Sequence, residues 1–442
     1  MNWIETTVGD YCPFIYGKGL PQKKRLSGPF KVYGSNGCVD YHNESYVNGP
    51  GIIIGRKGSV GAVHLSLEPF WPIDTSFYIE KESIEELWFA YYLIKSLGLE
   101  NMNSDSAVPG LNRDNAHALP IKIPEKEEDR KALGKWISKF DDKIKVNNQL
   151  NQTLEQIAQA IFKSWFVDFE PVKAKMAVLE AGDTAEQAEL AAMSVISAKD
   201  ETALKQLQAD QPEAYAELAQ TAALFPSAME ESELGAIPEG WSVGKLADLI
   251  DFNPKRTLRR GTSAPYLDMK NVPTSGHLAV DVIIREITSG TKFVNGDTLL
   301  ARITPCLENG KTAYVDFLDD NQVGWGSTEY IVMRPHEGYP TSVGYFLARD
   351  SSFRMHAIQS MTGTSGRQRA NAKALAELPW LIYPKVLIKV FDKTAKQYLN
   401  MAKNNGDESK LLSVIRDTLL PKLLSGEIDL SQLHAAAEQE GK

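Results

Sequence analysis

The chain carries an approximate internal repeat, which limits its folds to those built from two similar halves. The first segment, Trp3–Asp10, resembles Trp241–Asp248. Three further matches follow in the same order along both halves: Gly51–Arg56 with Asp297–Arg302, Asp74–Ile79 with Ser327–Val332, and Leu119–Pro124 with Leu378–Pro384. The shared order predicts two copies of one structural unit, related by a pseudo-twofold axis.

Each copy has a globular part and a helical part. Residues 1–120 and 236–380 mix short β-rich runs with Gly, Asn and Ser turns, and Glu85–Ile94 has the composition of a helix with a buried face. These features predict an α+β domain in each half. Residues 121–175 and 381–428 follow the two domains and are predicted to be long helices.

The two long helices carry heptad-like seams. Apolar side chains alternate in steps of four and three at Leu133, Ile137, Phe140 and Ile144, and again at Phe391, Ala395, Tyr398 and Ala402. Forty-odd helical residues span roughly 60 Å at about 1.5 Å each. We predict that the two helices form an antiparallel two-helix coiled coil that separates the two globular domains. The alternative is that each helix packs only on its own domain.

Acidity is concentrated in one segment. The chain has 442 residues and a net charge of −9. Residues 176–240 contain 2 basic and 13 acidic side chains, a net charge of −11, so the remainder totals +2. We therefore predict an acidic, Ala- and Glu-rich helical linker over residues 176–235, and a C-terminal tail over residues 429–442. A docking surface for a basic partner is the alternative for the acidic segment.

Other protein classes are disfavoured. Apolar runs such as Ile52–Ile54 are far shorter than the ~20 residues of a membrane span. No export signal is recognisable at the N-terminus. Cys12, Cys38 and Cys306 are too few and too widely separated for a disulfide framework or a zinc site. We expect a cytoplasmic protein without membrane or metal.

Catalytic motifs are also missing from the sequence. The seven histidines have no ligand spacing, and no Gly-x-Ser-x-Gly elbow occurs. Gly55–Gly61 is glycine-rich but precedes a predicted strand, and Gly310–Thr312 lacks the first glycine of a P-loop. We predict that the chain is not an enzyme; an enzyme with an unrecognised site is the rival.

Basic side chains cluster in predicted turns. Lys and Arg neutralise phosphates, and Arg and Gln read base edges. Arg56 corresponds to Arg302, and Arg113 loosely to Arg367 or Arg369. The predicted DNA contacts are Lys23, Lys24, Arg25, Arg56, Lys57 and Arg113 in the first domain, and Lys255, Arg256, Arg259, Arg260, Arg302, Lys311, Arg367, Gln368 and Arg369 in the second. For each residue, a solvated surface charge is the alternative.

Several motifs together resemble one family. They are Gly34–Gly37, Ile53–Gly58, Leu119–Pro124, the helix end Ala160–Phe169, Gly235–Trp241 and Leu420–Ile428. With the two-copy layout, the chain resembles the DNA specificity subunit of type I restriction-modification systems. The resemblance covers nearly the whole chain except the acidic segment.

The resemblance implies a function and a set of partners. Each of two target-recognition domains would read half of a bipartite double-stranded DNA site, and the helices would fix the gap. Methyltransferase subunits, two per chain, would supply S-adenosylmethionine chemistry, and a restriction and translocase subunit would use ATP and Mg²⁺. This chain would bind no cofactor. The alternative is a non-catalytic coiled-coil adaptor that does not read DNA.

Aromatic side chains on the helices are candidate contacts to the methyltransferase subunits. These are Trp136, Phe162, Phe166 and Phe169. Packing in the protein's own core is the alternative for each of them.

Overall fold

The computed structural model describes residues 1–102, 110–364 and 366–430. The chain forms two units. Unit 1 contains residues 1–146 and the part of the chain from residue 407 onward, and unit 2 contains residues 147–406. Of the predicted tail over residues 429–442, the part beyond residue 430 lies outside the described residues.

Unit 1 contains an α+β domain with short strands. Its strands are β1 (Trp3–Thr7), β2 (Ile15–Tyr16), β3 (Phe30–Gly34), β4 (Gly37–His42), β5 (Gly51–Gly55), β6 (Val63–Ser66), β7 (Phe70–Pro72), β8 (Ser76–Glu80) and β9 (Pro120–Pro124). Its helices are α1 (Val8–Tyr11), α2 (Ile84–Ser96), α3 (Arg113–His117) and the first half of α4 (Glu127–Phe166). The sheet orders are β2-β8-β5-β6, β4-β3-β7 and β1-β9.

The centre of this domain follows from its most apolar segments. Ile52, Ile53 and Ile54 are fully buried, as expected for a central strand covered on both faces. Helix α2 starts where the Ser83 hydroxyl accepts a hydrogen bond from the Glu86 backbone N–H at 3.3 Å, a helix N-cap. Phe89 on the same helix is fully buried in the core shared with β5.

Unit 2 begins with the second half of α4 and a helical segment before its own α+β domain. The helices are α5 (Glu170–Glu180), α6 (Ala185–Ser197), α7 (Glu201–Asp210), α8 (Pro212–Ala223), α9 (Ser342–Arg349), α10 (Ser351–Gln359), α11 (Ala372–Ala376) and the first half of α12 (Lys385–Ser425). The strands are β10 (Met229–Ser232), β11 (Gly235–Pro238), β12 (Ser242–Lys245), β13 (Ile250–Phe252), β14 (Ser263–Leu267), β15 (Ile283–Glu286), β16 (Thr291–Phe293), β17 (Thr298–Ala301), β18 (Thr312–Tyr314), β19 (Gly324–Gly326), β20 (Tyr330–Pro335) and β21 (Pro379–Ile382).

The internal repeat is confirmed by strand order. The sheet β13-β20-β17-β18 repeats β2-β8-β5-β6, and β15-β14-β19 repeats β4-β3-β7, with β16 added at its edge. The residues that directly follow the first strand of each repeat also make equivalent hydrogen bonds. Val8 donates to the Leu119 carbonyl at 3.0 Å, and Leu246 donates to the Leu378 carbonyl at 2.9 Å. The predicted correspondences between the two repeats, of Val8 with Leu246 and of Leu119 with Leu378, are therefore correct.

One predicted alignment is wrong by a single residue. The sequence match placed Tyr78 opposite Ile331. In the structure Ile53 pairs with Tyr78, and its counterpart Leu299 pairs with Val332, so Tyr78 corresponds to Val332. The alignment relied on a shared threonine side chain, whereas strand register is defined by backbone pairing, and a one-residue shift reverses every side chain.

Helices α4 and α12 run antiparallel within each unit. In unit 1, Lys143 lies 3.2 Å from Glu408, and Arg416 lies 2.8 Å from Asp141. In unit 2, the Asn151 side chain donates to the Ala402 carbonyl at 3.0 Å. The predicted α+β fold class with an antiparallel helix pair is confirmed, and the alternative of two helices that each pack only on their own domain is excluded.

The acidic segment forms a small helical subdomain in unit 2. Helices α6, α7 and α8 share a core of Ala192, Met193, Leu204 and Ala222. Helix α6 opens with a capping box at Thr184. Lys175 on α5 is 1% exposed and donates to Glu189 at 2.6 Å and to the Phe225 carbonyl at 2.8 Å. The segment thus has a hydrophobic core of its own, and the partly exposed Glu189 joins it to the buried Lys175.

In the described part of the chain, no helix combines the length and the apolar character needed to cross a membrane.

Candidate nucleic-acid interface

Equivalent loops follow β5 and β17, and the same backbone hydrogen bonds hold them. Arg56 donates to the Thr75 carbonyl at 2.9 Å and accepts from Leu111 at 2.9 Å. Arg302 donates to the Glu329 carbonyl at 2.9 Å and accepts from Ala370 at 2.8 Å. Arg56 and Arg302 are therefore equivalent, as the sequence predicted. Each one joins the end of a central strand to the loop before a short helix.

The short helices α3 and α11 begin with the same cap. The Asn112 side chain accepts from Asn115 at 3.0 Å, and the Asn371 side chain accepts from Lys373 at 3.0 Å. This match places Arg113 opposite Ala372, the first residue of each helix. The predicted correspondence of Arg113 with Arg367 or Arg369 is wrong.

The position equivalent to Arg369 is Gly110. Lys57 forms an isolated bridge with Gly110, and Ile303 forms the corresponding bridge with Arg369. The sequence comparison matched arginine to arginine, although the shared feature is the backbone of the loop. The two domains therefore share the backbone of this loop, but the second arginine is Arg113 in one domain and Arg369 in the other, at positions that do not correspond.

In unit 1, two of the predicted arginines lie against the ring of Tyr16. The guanidinium of Arg56 lies 5.0 Å from the Tyr16 ring centroid, and that of Arg113 lies 4.9 Å away. Arg56 also donates to the Asp74 carbonyl at 3.0 Å. Tyr16 is 45% exposed, so the cluster presents two cations on a solvent-facing aromatic ring. Sequence analysis missed Tyr16, because its short strand β2 lacks the alternation that identifies strands.

In unit 2, Glu329 takes the place of the aromatic ring. Arg369 donates three hydrogen bonds to the Glu329 carboxylate, at 2.7, 2.9 and 2.9 Å. The Arg302 guanidinium nitrogen Nε lies 3.9 Å from the same carboxylate. The Glu329 hydrogen bonds raise the pKa of Arg369 and hold its planar fork in one orientation. Glu329 was also missed, because the one-residue alignment error concealed its position.

Three predicted DNA contacts are instead engaged within their own domains. Arg25 lies 3.1 Å from Asp40, and Arg256 lies 3.0 Å from the fully buried Asp297. The Lys311 ammonium donates to the Met269 carbonyl at 2.7 Å. The Tyr41 backbone N–H and the Arg25 side chain lower the pKa of Asp40. These bonds hold Arg25, Arg256 and Lys311 within their own domains, and their contact with DNA stays a prediction.

The remaining predicted DNA contacts are Gln368 and seven exposed basic residues. Gln368 is partly buried, and its carbonyl accepts from the Thr304 backbone at 3.0 Å. The exposed residues are Lys23, Lys24, Lys57, Lys255, Arg259, Arg260 and Arg367. Their contact with DNA stays a prediction.

Two of the predicted partner-binding aromatics are core residues. Phe162 and Phe166 are only 2% and 3% exposed. The Phe162 ring packs 5.5 Å from Phe391 and 5.8 Å from Tyr383, and Phe166 packs 5.1 Å from Tyr383. Their burial corrects the prediction in favour of core packing.

The other two aromatics remain partly accessible. Trp136 packs edge-on to Phe140 at 5.1 Å, and Phe169 packs edge-on to Trp241 at 5.8 Å. Partner binding by Trp136 and Phe169 stays a prediction. Metal ligation has no candidate in the described ranges, where His, Cys, Asp and Glu form no group of three or more that could hold an ion.

The chain is thus a protein with two similar α+β domains, an antiparallel helix pair, and one equivalent arginine loop in each domain, those of Arg56 and Arg302. The profile of the type I restriction modification DNA specificity domain matches residues 1–156. The specificity subunit of the type I restriction enzyme HindI from Haemophilus influenzae is 32% identical over 329 residues, which is 72% of this chain and 71% of the relative. The MjaIX specificity subunit from Methanocaldococcus jannaschii is 23% identical over 373 residues, covering 78% and 70%.

A solved structure has the same fold. The type I restriction-modification S subunit from M. genitalium aligns with a TM-score of 0.51 and 15% identity, over 96% of each chain. Together with the HindI relative, these matches establish that the chain belongs to the family of type I restriction enzyme specificity subunits.

Proposed function

We propose that this chain recognises a bipartite target in double-stranded DNA, with one half-site read by each α+β domain. The carrying observation is the matched framework around Arg56 and Arg302. Each follows a central strand, and each is fixed by the same two backbone hydrogen bonds. These bonds fix the backbone from which each arginine side chain extends, and a guanidinium at this position can bind phosphate or form two hydrogen bonds with guanine.

The reaction chemistry belongs to partner subunits in this proposal. The chain acts as the specificity subunit, and methyltransferase subunits, two per chain, bind to it and use S-adenosylmethionine. A restriction and translocase subunit that uses ATP and Mg²⁺ completes the assembly. The chain itself is not an enzyme, holds no cofactor and works in the cytoplasm. Membership of the specificity-subunit family supports this division of labour.

The competing function is a coiled-coil adaptor that recruits proteins without reading DNA. The two functions differ in what determines the methylation pattern. If the chain reads DNA, the bases around each methylated site follow from its loops. If it is an adaptor, changes in those loops leave the pattern as it was.

The test uses the full chain assembled with methyltransferase subunits. Arg56→Ala and Arg302→Ala are compared with Lys205→Ala, a 71% exposed lysine on α7. We expect each arginine variant to lower target methylation and DNA affinity about tenfold or more, as loss of a base or phosphate contact does. Subunit association should be unchanged. Unaltered DNA affinity at moderate salt in both arginine variants would refute the proposal.

A further inference from the structure

Arg349, the last residue of α9 in unit 2, is a buried arginine that holds two loops together. Its side chain is 4% exposed. The guanidinium donates to backbone carbonyls of Thr274 at 2.8 Å, Gly310 at 2.8 Å, Thr312 at 3.0 Å and Gly276. Residues 274–276 and 310–312 are separate segments of the chain, so one side chain fixes them to each other.

One of these segments is the end of the loop that carries Arg302. This loop connects β17 to β18, and it starts at Arg302. It is internally hydrogen bonded, since Leu307 donates to the Ile303 carbonyl at 3.0 Å and Asn309 to the Pro305 carbonyl at 2.9 Å. Arg349 is therefore bonded to the far end of an internally hydrogen-bonded loop that begins at Arg302.

Arg349 is connected in turn to helix α4. Its Nε atom donates to the Tyr345 hydroxyl at 3.2 Å, and this hydroxyl donates to the Glu155 carboxylate. The Arg349 Nε and Glu155 Oε1 atoms are 4.0 Å apart. Burial, reinforced by the Glu155 charge, raises the pKa of Tyr345, so the phenol keeps its proton and remains a donor.

A buried cation of this kind needs a partner charge. An unpaired charge in a protein interior is strongly destabilising, and Glu155 supplies the compensating carboxylate while being 8% exposed itself. The partner comes from α4 and not from the recognition domain. The position of the domain loops is thus connected to the position of this helix.

We propose that Glu155, Tyr345 and Arg349 form a positioning relay through which α4 sets the loop of Arg302, and thereby the base preference of the half-site read by unit 2. Arg349 and Glu155 are positioning residues, since both side chains are buried, at 4% and 8% exposure. This inference rests on the proposed function.

A matched control exists in unit 1. Arg130 is similarly buried, at 13% exposure, and pairs with Glu86 at 2.9 Å. It also donates to the carbonyls of Pro124 at 2.9 Å and Glu125 at 3.0 Å. These carbonyls belong to the end of β9 and the residue after it, not to the loop of Arg56. Arg130→Lys therefore removes a comparable buried network without releasing a DNA-reading loop.

The experiment uses the full chain assembled with its methyltransferase subunits and S-adenosylmethionine. The wild-type target is determined first. A pool of duplexes carrying every single-base substitution of that target is then methylated by wild type, Arg349→Lys, Glu155→Gln and Arg130→Lys. Sequencing of methylated molecules gives the discrimination at each position. The half-site of unit 2 is the one affected by Arg302→Ala.

Arg349→Lys is expected to lower discrimination in the half-site of unit 2 about tenfold, since one ammonium cannot bond four carbonyls, while the other half-site is unchanged. Glu155→Gln should have a smaller effect on the same half-site. Arg130→Lys should leave the half-site of unit 2 unchanged.

Two results would overturn the relay. One is unchanged discrimination in both Arg349→Lys and Glu155→Gln, and the other is an equal loss in both half-sites, which a general loss of stability would produce. If Arg349→Lys does not fold, the result of Glu155→Gln decides, because Gln keeps an acceptor for Tyr345. A wild-type complex without any base preference would instead refute the proposed function.

Discussion

At the scale of single residues, the two arginine clusters share a backbone but differ in charge. In unit 1, Arg56 and Arg113 lie over the neutral ring of Tyr16. In unit 2, Glu329 binds Arg369 and lies near Arg302. The carboxylate neutralises part of the second cluster and fixes the direction of its donors. In the first cluster Arg113 lies 3.6 Å from the exposed Asp114, and among the described residues no carboxylate forms an ion pair with Arg56.

Glu329→Gln should therefore release positive charge in unit 2. We expect tighter binding of non-target DNA and a steeper dependence of the binding constant on salt, by about one additional ion released. Affinity of the assembled complex for target and non-target duplexes, measured over a range of salt concentrations, checks this. Glu377→Gln is the control, because Glu377 forms an exposed pair with Lys245 at 2.6 Å. An unchanged salt slope would argue against a role for Glu329 in the interface.

The corrected role of Phe162 gives a second prediction at this scale. Phe162→Ala should lower the free energy of unfolding by about 3–5 kcal/mol, because it leaves a large cavity in the core of unit 2. Urea unfolding of the chain without its partners measures the loss. Trp136→Ala, at a partly exposed site, should cost much less. Normal stability of Phe162→Ala combined with lost methyltransferase binding would restore the original partner-binding interpretation.

At the scale of elements, buried asparagines set the register of α4 against α12, and a glycine sets its distance from α2. Asn147 is 1% exposed and donates to the Asn405 carbonyl, and Asn405 donates to Asn151 at 2.8 Å. Buried asparagines in a helix seam favour one register over others. A Cβ atom on Gly134 would lie 1.8 Å from the Glu85 carbonyl oxygen, so only glycine allows α4 to approach α2 this closely.

Deletion of one heptad from each helix at facing positions tests whether the helix pair measures the DNA target. Seven residues correspond to about 10 Å of helix. At about 3.4 Å per base pair, the gap between half-sites should shorten by about three base pairs. Methylation profiling of cells that carry the altered system gives the gap and both half-sites. A target with an unchanged gap would count against the helices as the ruler.

Elements also show how much the sequence can predict. The repeat and the equivalence of Arg56 with Arg302 were predictable, because both follow a buried apolar strand. The register of β20 was not predictable. The alignment followed a shared threonine, whereas the backbone pairing that defines the register cannot be read from the sequence. Tyr16 was not predictable either, since it meets Arg56 and Arg113 only through the tertiary fold.

At the scale of the whole molecule, the net negative charge is confined to one segment and the rest of the chain is nearly neutral. The acidic residues 176–240 have a net charge of −11, and the remaining chain totals only +2. Much of the affinity of DNA-binding proteins comes from neutralised phosphates. A nearly neutral pair of domains supplies little of this phosphate-dependent affinity, although its fixed arginines can still discriminate between bases.

The chain alone should therefore bind DNA much more weakly than the assembled complex. We expect a difference of about 100-fold or more at physiological salt, because a nearly neutral chain neutralises few phosphates by itself. Fluorescence anisotropy with the same target duplex, with and without methyltransferase subunits, measures it. Equal affinities would show that the domains alone provide the electrostatic attraction.

The two tryptophans that open the repeats have a topological consequence. Trp3 packs where a Cβ on Gly426, just past the end of α12, would lie 2.6 Å from its Nε1 atom. Trp241 packs 5.8 Å from Phe169, just past the end of α4. Each helix thus finishes beside the tryptophan that opens a repeat, in its own unit. A circular permutant that joins Leu430 to Asn2 through a linker and opens the β10–β11 turn should therefore keep the contact of Trp3 with Gly426 while it loses the pairing of β10 with β11.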